Sequence, residues 1–187
     1  IEKIDFDYED KHKIEVNDDS KLNNKLNNAN SLIDLNNAFT NKYYKILIKK
    51  NYSLKKPLIV YHITSKTIKS KNINLRLDFE LEQNSSLRLV DLSHDMAEKN
   101  FINIYYNFNL KKDAILKNNK IDKINNKNIK YSFNNIEQDE NSVSETFILS
   151  SGTSFLKNEI NCNLKEKFSS AFVNGIFSLD DENQHEI

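Results

Sequence analysis

The stretch Leu75-Arg76-Leu77-Asp78-Phe79-Glu80-Leu81-Glu82 alternates apolar and charged side chains without a break. Successive side chains of an extended strand point to opposite faces, so Leu75, Leu77, Phe79 and Leu81 share a buried face while the charged residues stay in water. The same period of two returns in Ile102, Ile104, Tyr106, Phe108 and Leu110, set against Asn103, Tyr105, Asn107 and Asn109. Leu156, Asn158, Ile160, Cys162 and Leu164 form a third, weaker stripe. Further strands fit residues 44–48, 58–64, 86–92, 129–136, 143–149 and 171–179, so nearly everything past residue 42 reads as β.

Hairpins are poorly supported. The chain has 2 Gly and 1 Pro, and its single Asn-Gly, Asn174-Gly175, falls inside a strand pattern. A recurrent unit runs instead from an apolar residue through a few polar residues to a small residue and a new apolar strand: Leu81 to Leu87, Leu110 to Ile115, Leu149 to Phe155 and Leu164 to Phe172. Short strands joined by small-residue corners are what a solenoid needs, and the expected class is all-β. Upstream, Asp18-Asp19-Ser20 offers helix N-cap chemistry, and Leu22, Leu26, Ala29 and Ile33 then share one helical face. This divides the chain into a charged segment with an amphipathic helix, residues 1–41, and a β core, residues 42–187.

Composition narrows the function. Among 187 residues, 27 Lys+Arg balance 27 Asp+Glu, so no global field favours nucleic acid or an anionic membrane. One Cys allows no internal disulfide and no Cys-built zinc site, which points to a reducing, cytoplasmic setting. No apolar run approaches the roughly 20 residues needed to span a bilayer. Thirty Asn and 25 Lys stand beside only 2 Arg, as AT-rich codon bias would produce. Ile1 rather than Met opens the chain and Gln184-His185-Glu186-Ile187 closes it abruptly, as expected of a piece of a longer protein.

The residues offer little catalytic chemistry. Asp78, Glu80 and Glu82 share a strand face, and paired acids on a β-helix would suit a polysaccharide-active enzyme. Arg76 lies on the same face, however, and a solvated charged face is the simpler reading. His12, His62, His94 and His185 are far apart, without metal-ligand spacing, and read as surface or internally satisfied histidines. Cys162 sits on the apolar phase of its strand and reads as a small buried hydrophobe. There is no nucleophile elbow and no Gly-rich phosphate loop. No catalytic, cofactor-binding or metal-ligating residue is therefore assigned.

Other residues carry a resemblance. Leu35-Asn36-Asn37-Ala38-Phe39-Thr40, followed by the stretch from Ile46 to Val60 with the only Pro, Pro57, resembles the "LNTAF" and "lekPi" segments of the SufB/SufD family of iron–sulfur cluster assembly proteins. Asn84-Ser85-Ser86-Leu87-Arg88-Leu89-Val90-Asp91-Leu92 is similar to a rung of that family. Asn174-Gly175 through Gln184-His185 resembles its "lnGlyl..g.QH" block, and the succession is closest to SufD. The resemblance implies a right-handed parallel β-helix acting as a non-catalytic scaffold. It also implies SufB-like and SufC-like partners in an ATP-dependent SufBCD complex, with sulfur arriving indirectly from a cysteine desulfurase. The family's site block, SufC-binding helices and main SufB-pairing strands would lie beyond Ile187, and no metal ligand is carried over. The alternative is an unrelated β-solenoid, carbohydrate-active or adhesive.

Overall fold

The structure, a computed structural model, describes residues 12–19, 30–40, 43–64, 67–95, 98–123, 127–152, 155–179 and 184–187. Among the described residues, one helix, α1 (Ser31–Phe39), accompanies twelve strands. They are β1 (Ile14–Asp19), β2 (Tyr43–Ile48), β3 (Leu58–Thr64), β4 (Asn72–Leu81), β5 (Ser86–Asp95) and β6 (Phe101–Leu110). The second half supplies β7 (Ile115–Lys123), β8 (Ile129–Gln138), β9 (Val143–Ser151), β10 (Phe155–Leu164), β11 (Ser170–Ser178) and β12 (Gln184–Glu186). Successive strands from β2 onward alternate between two sheets, one ordered β1-β2-β4-β6-β8-β10-β12 and the other β11-β9-β7-β5-β3. All pairings are parallel except that of β1 with β2. The chain is therefore the expected parallel β-solenoid.

Stacking in register converts the alternation into columns. Ile48 pairs with Leu81, Leu81 with Leu110, Leu110 with Gln138 and Gln138 with Leu164. Phe79 stacks on Phe108 with ring centroids 5.0 Å apart, in a cluster that also takes in Ile46, Leu77, Leu87 and Leu116. Burying each such side chain contributes about 1.5–3 kcal/mol.

The corners explain how a chain with 2 Gly turns so often. At each passage from the first sheet to the second, one residue takes a left-handed backbone: Asn51 (φ 59°), Asn84 (56°), Asp113 (60°), Asn141 (57°) and Phe168 (62°). Asn and Asp are the non-glycine residues that tolerate this region best. The corners also stack, since Asn84 Nδ2 donates to Asn51 Oδ1 at 3.0 Å and Asn141 Nδ2 to Asp113 Oδ1 at 2.6 Å. At three of these corners the next residue turns inward and is small, whereas Asn51 is followed by the half-buried Tyr52. Ser85, Ala114 and Ser142 are buried there, and the two serines bond back to the carbonyls of Glu82 and Asp139 at 2.7 Å. The unit from Leu149 to Phe155 lies instead at the opposite corner, with Gly152 left-handed at φ 61°.

The amino-terminal segment departs from expectation. Asp18 and Asp19 close strand β1, whose backbone pairs with β2, and the start of a helix expected at Ser20 lies outside the described residues. Ile33 belongs to α1, which starts at an N-cap of extended backbone, Asn30, whose Oδ1 accepts from the amides of Leu32 (3.0 Å) and Ile33 (3.3 Å). Ser20, Leu22, Leu26 and Ala29 lie outside the described residues. The segment from Leu35 to Phe39 docks α1 on the outer face of the first sheet through Asn36. Its fully buried amide donates to the carbonyls of Leu75 (3.0 Å) and Asn103 (2.9 Å). Asn103 answers by donating to the carbonyl of Leu32 at 2.8 Å.

Two substitutions test the corner argument by urea denaturation. Asn141→Ala, which keeps the left-handed strain and loses the bond to Asp113, should cost about 1–2 kcal/mol. Phe168→Gly should stabilise by up to about 1 kcal/mol, because Phe168 is exposed and bulky in the same conformation.

Candidate functional site

The interior changes character along the solenoid. In the first sheet, inward columns run Ile102 to Lys130, Ile104 to Ser132 to Asn158, and Tyr106 to Asn134. In the second they run Leu89 to Asn118 to Thr146, Val60 to Asp91 to Lys120, and His62 to Ser93 to Asp122 to Ser150. Apolar early rungs thus give way to polar later ones facing each other across the interior, and Lys120 and Lys130 are 0% and 1% exposed.

These groups form one network. His62 Nε2 lies 2.6 Å from Tyr106 Oη and 2.9 Å from Asp91 Oδ1. Lys120 Nζ donates to Ser132 Oγ at 2.7 Å and stands 3.5 Å from Asp91 Oδ2 and 4.9 Å from the Tyr106 ring centroid. Lys130 Nζ donates to Ser93 Oγ at 2.6 Å and is ion-paired with Asp122. Two buried ammonium groups therefore face two buried carboxylates, with an imidazole and a phenol beside them. Removing such charges from water costs several kcal/mol each, and only close pairing offsets it.

Proton affinities follow from the same packing. Burial raises the Asp91 carboxyl, but the His62 ring and Lys120 ammonium outweigh it and hold the group far below the usual carboxylate range. Burial also raises Asp122, and Lys130 and Lys120 reverse that to a net lowering. Desolvation lowers Lys120 despite both carboxylates. Burial, seconded by Asp91, pushes the Tyr106 hydroxyl well above its ordinary value and keeps it protonated. At the carboxy-terminal side, His185 Nδ1 is 2.9 Å from Ser150 Oγ, and burial lowers its pKa. Asp122 Oδ2, His185 Nε2 and both polar side-chain atoms of Asn158 are buried without a hydrogen-bond partner among the described residues. Such groups mark where ordered water is expected.

The residues singled out in the sequence distribute as follows. His62 is an internally satisfied histidine, while His12 lies exposed in a turn. His94 falls on β5 with its side chain outside the described set. Cys162 is half-buried against the core, and burial pushes its thiol up although Ser144 opposes this. The acid row is bound up in local pairs. Asp78 meets Arg76 at 3.0 Å, Glu80 meets Lys45 at 2.7 Å, and Glu82 accepts from the Lys50 amide at 2.8 Å. Gly175 stands inward above Ile148, where an added Cβ would come within 3.0 Å of the Phe177 ring. Gln184 and His185 form β12, stacked on Phe155 and Leu156 of β10. Among the described residues, no group of three His, Cys, Asp or Glu gathers to hold a metal, and no helix is long and apolar enough to cross a membrane.

The structure is a parallel β-solenoid whose buried ions are paired with one another. The family described as SUF system FeS cluster assembly, SufBD core domain, matches residues 61–187. That range is most of the chain and takes in the solenoid from β3 to β12, and the chain belongs to this family. No curated protein gives a significant match.

The network makes two expectations testable. Asp122→Asn, which leaves Lys130 buried without its counter-charge, should cost about 3–5 kcal/mol, whereas the double variant Asp122→Leu, Lys130→Met should recover most of that loss. Asp91 and Asp122 both have folded pKa values below their unfolded ones, so their stabilisation is complete above about pH 4 and is lost as pH falls through the folded values. Urea midpoints measured from pH 6 to pH 2 should fall more steeply for the parent than for the double variant. Parallel curves would contradict the pairing.

Proposed function

We propose that the chain is the amino-terminal portion of a SufD-like scaffold subunit, part of an ATP-dependent SufBCD-type complex that assembles iron–sulfur clusters in the cytoplasm. Membership of the SufBD core family is the observation that carries this reading. The SufD side of the family is favoured by the segment Leu35 to Phe39, the lone Pro57, and the spacing of Asn174-Gly175 and Gln184-His185. The proposed partners are a SufB-like subunit and a SufC-like ATPase, with a cysteine desulfurase supplying sulfur upstream. The cluster is cargo of the complex, and the role proposed for this segment is structural rather than catalytic.

Two features support a framework role. The buried ions of the interior are paired with each other, and the Cys162 thiol is pushed up by burial, away from the thiolate that sulfur transfer or metal binding requires. The adhesive or carbohydrate-active alternative is not kept, because the solenoid belongs to the SufBD core family and its acid row is engaged in local ion pairs and a backbone bond.

The test is co-expression of the full-length protein with the SufB-like and SufC-like proteins of its own genome. A stoichiometric complex that supports cluster reconstitution is expected, and a full-length protein that purifies alone would refute the reading. In that complex Cys162→Ser should leave the rate of cluster formation within about twofold of the parent. Loss of assembly in a normally folded variant would show that the thiol takes part in the chemistry.

A further inference from the structure

The two sheets present unlike outer faces. The first carries α1, the acid row and an asparagine ladder in which Asn135 donates to Asn107 at 3.1 Å and Asn161 to Asn135 at 2.8 Å. The second carries an unbroken apolar column on its outer phase: Tyr61, Leu92, Ile121, Leu149 and Ile176 stack in register from β3 to β11. Outer strand positions of a solenoid are solvent-facing by default, and Tyr61 and Ile176 are 60% and 57% exposed. Nothing among the described residues covers the column. Beside it runs a second lane with Ile59, Val90 and Phe147. A depression of about 480 Å³ opens there, lined by Lys117, Asn119, Glu145, Phe147 and Phe172 among others.

We infer that this face docks an amphipathic helix of a partner protein, with acidic residues flanking its apolar stripe. Three observations select that occupant. The column offers one apolar side chain per strand, about every 4.8 Å, and a helix laid across the strands offers one per turn, about every 5.4 Å. Four strand spacings are about 19 Å, which about 13 residues of helix would cover. The apolar face is widest at β3, where Ile59, Tyr61 and Ile63 are all exposed, and narrows beyond it, since Asn119 and Asn174 interrupt the second lane; that taper suits a helix stripe better than a second flat sheet. Finally, exposed cations border it: Arg88 and Lys117 lie beyond the second lane on one side and Lys123 adjoins the column on the other, while Glu145, in register with Lys117, is held by it at 3.0 Å. The depression beside Phe147 gives a large apolar side chain of such a helix a place to anchor. The proposal does not rest on the SufD-like reading, and its test does not depend on a SufB-like or SufC-like partner.

The probe is a fluorescein-labelled 14-residue peptide with Leu at one position per turn and Glu on both flanks, titrated by anisotropy against the full-length protein. It should bind, and a scrambled peptide of the same composition should bind at least about tenfold more weakly. Leu149→Glu, an exposed substitution whose folding is verified by circular dichroism, should weaken the peptide about tenfold or more. The pair Arg88→Glu, Lys123→Glu should weaken it too while improving binding of a Lys-flanked version. Equal binding of the scrambled peptide would overturn the proposal. So would a self-association, seen by sedimentation, that Leu149→Glu abolishes, since a second copy would then be the occupant. Leu149-dependent binding to vesicles of anionic phospholipid would overturn it in favour of a membrane surface.

Discussion

Parallel stacking in fixed register is the constraint on which the rest of this molecule depends. Because Leu81 lies over Ile48, and Leu110 over Leu81, every inward residue of an inner strand has a neighbour directly above and below it. A column can change its chemistry only gradually, or only where the change is matched across the interior. The backbone ladder supplies uniform cohesion, and the columns decide whether a given rung can be stacked at all. The corners obey the same rule. A left-handed residue recurs at 51, 84, 113, 141 and 168, and its amide repeatedly reaches the carbonyl one rung on, as Asn84 does to Lys112 and Asn141 to Lys167 at 3.0 Å.

Seen from that constraint, what the sequence reveals and what it hides have a common cause. Strands β4, β6 and β10 were legible because their inward positions keep enough apolar residues for the alternation to show. Strand β7 was not, because three of its inward residues are Asn118, Lys120 and Asp122, so that Ile115 and Ile121 mark the wrong face. The corner between β8 and β9 escaped notice because Gln138 stands where the other copies have Leu. Its amide serves the carbonyl of Ser170 at 2.9 Å, and its oxygen accepts from Ser144 at 2.8 Å. The polar network was hidden more deeply. Lys120 and Asp91 meet across rungs, and Lys120 and Ser132 across sheets, at separations that no local motif encodes. One trace was available: His62 sits between Tyr61 and Ile63, and Ile121 sits between Lys120 and Asp122, so that apolar residues mark the opposite phase.

That trace suggests what buried ions contribute here. In β7 and β9 both phases carry apolar residues, with Ile121, Phe147 and Leu149 pointing outward, so an apolar pattern alone specifies the pairing weakly. A slip of one residue in β7 would exchange Ile121 for Lys120 at the interior without loss of apolar burial. The charges forbid it, because Lys120 would leave Asp91 and Ser132, and the displaced partners would remain buried and unpaired. Net stability gains little from such pairs; what they supply is a penalty on every alternative register.

The outward apolar residues then need an explanation of their own. A solenoid can solvate its outer faces with Asn, Lys and Glu, as the first sheet does at Asn107, Asn135 and Asn161. On the second sheet the charges that would normally face water are inside, and Tyr61, Leu149 and Ile176 face outward instead. Inverting the phases costs stability twice, once by desolvating ions and once by exposing hydrocarbon. A fold that only had to stack would have no use for either expense. The inversion becomes intelligible when the second sheet has to be held in strict register and also present an apolar surface, for then the ions inside fix the register that the apolar residues outside would otherwise leave ambiguous.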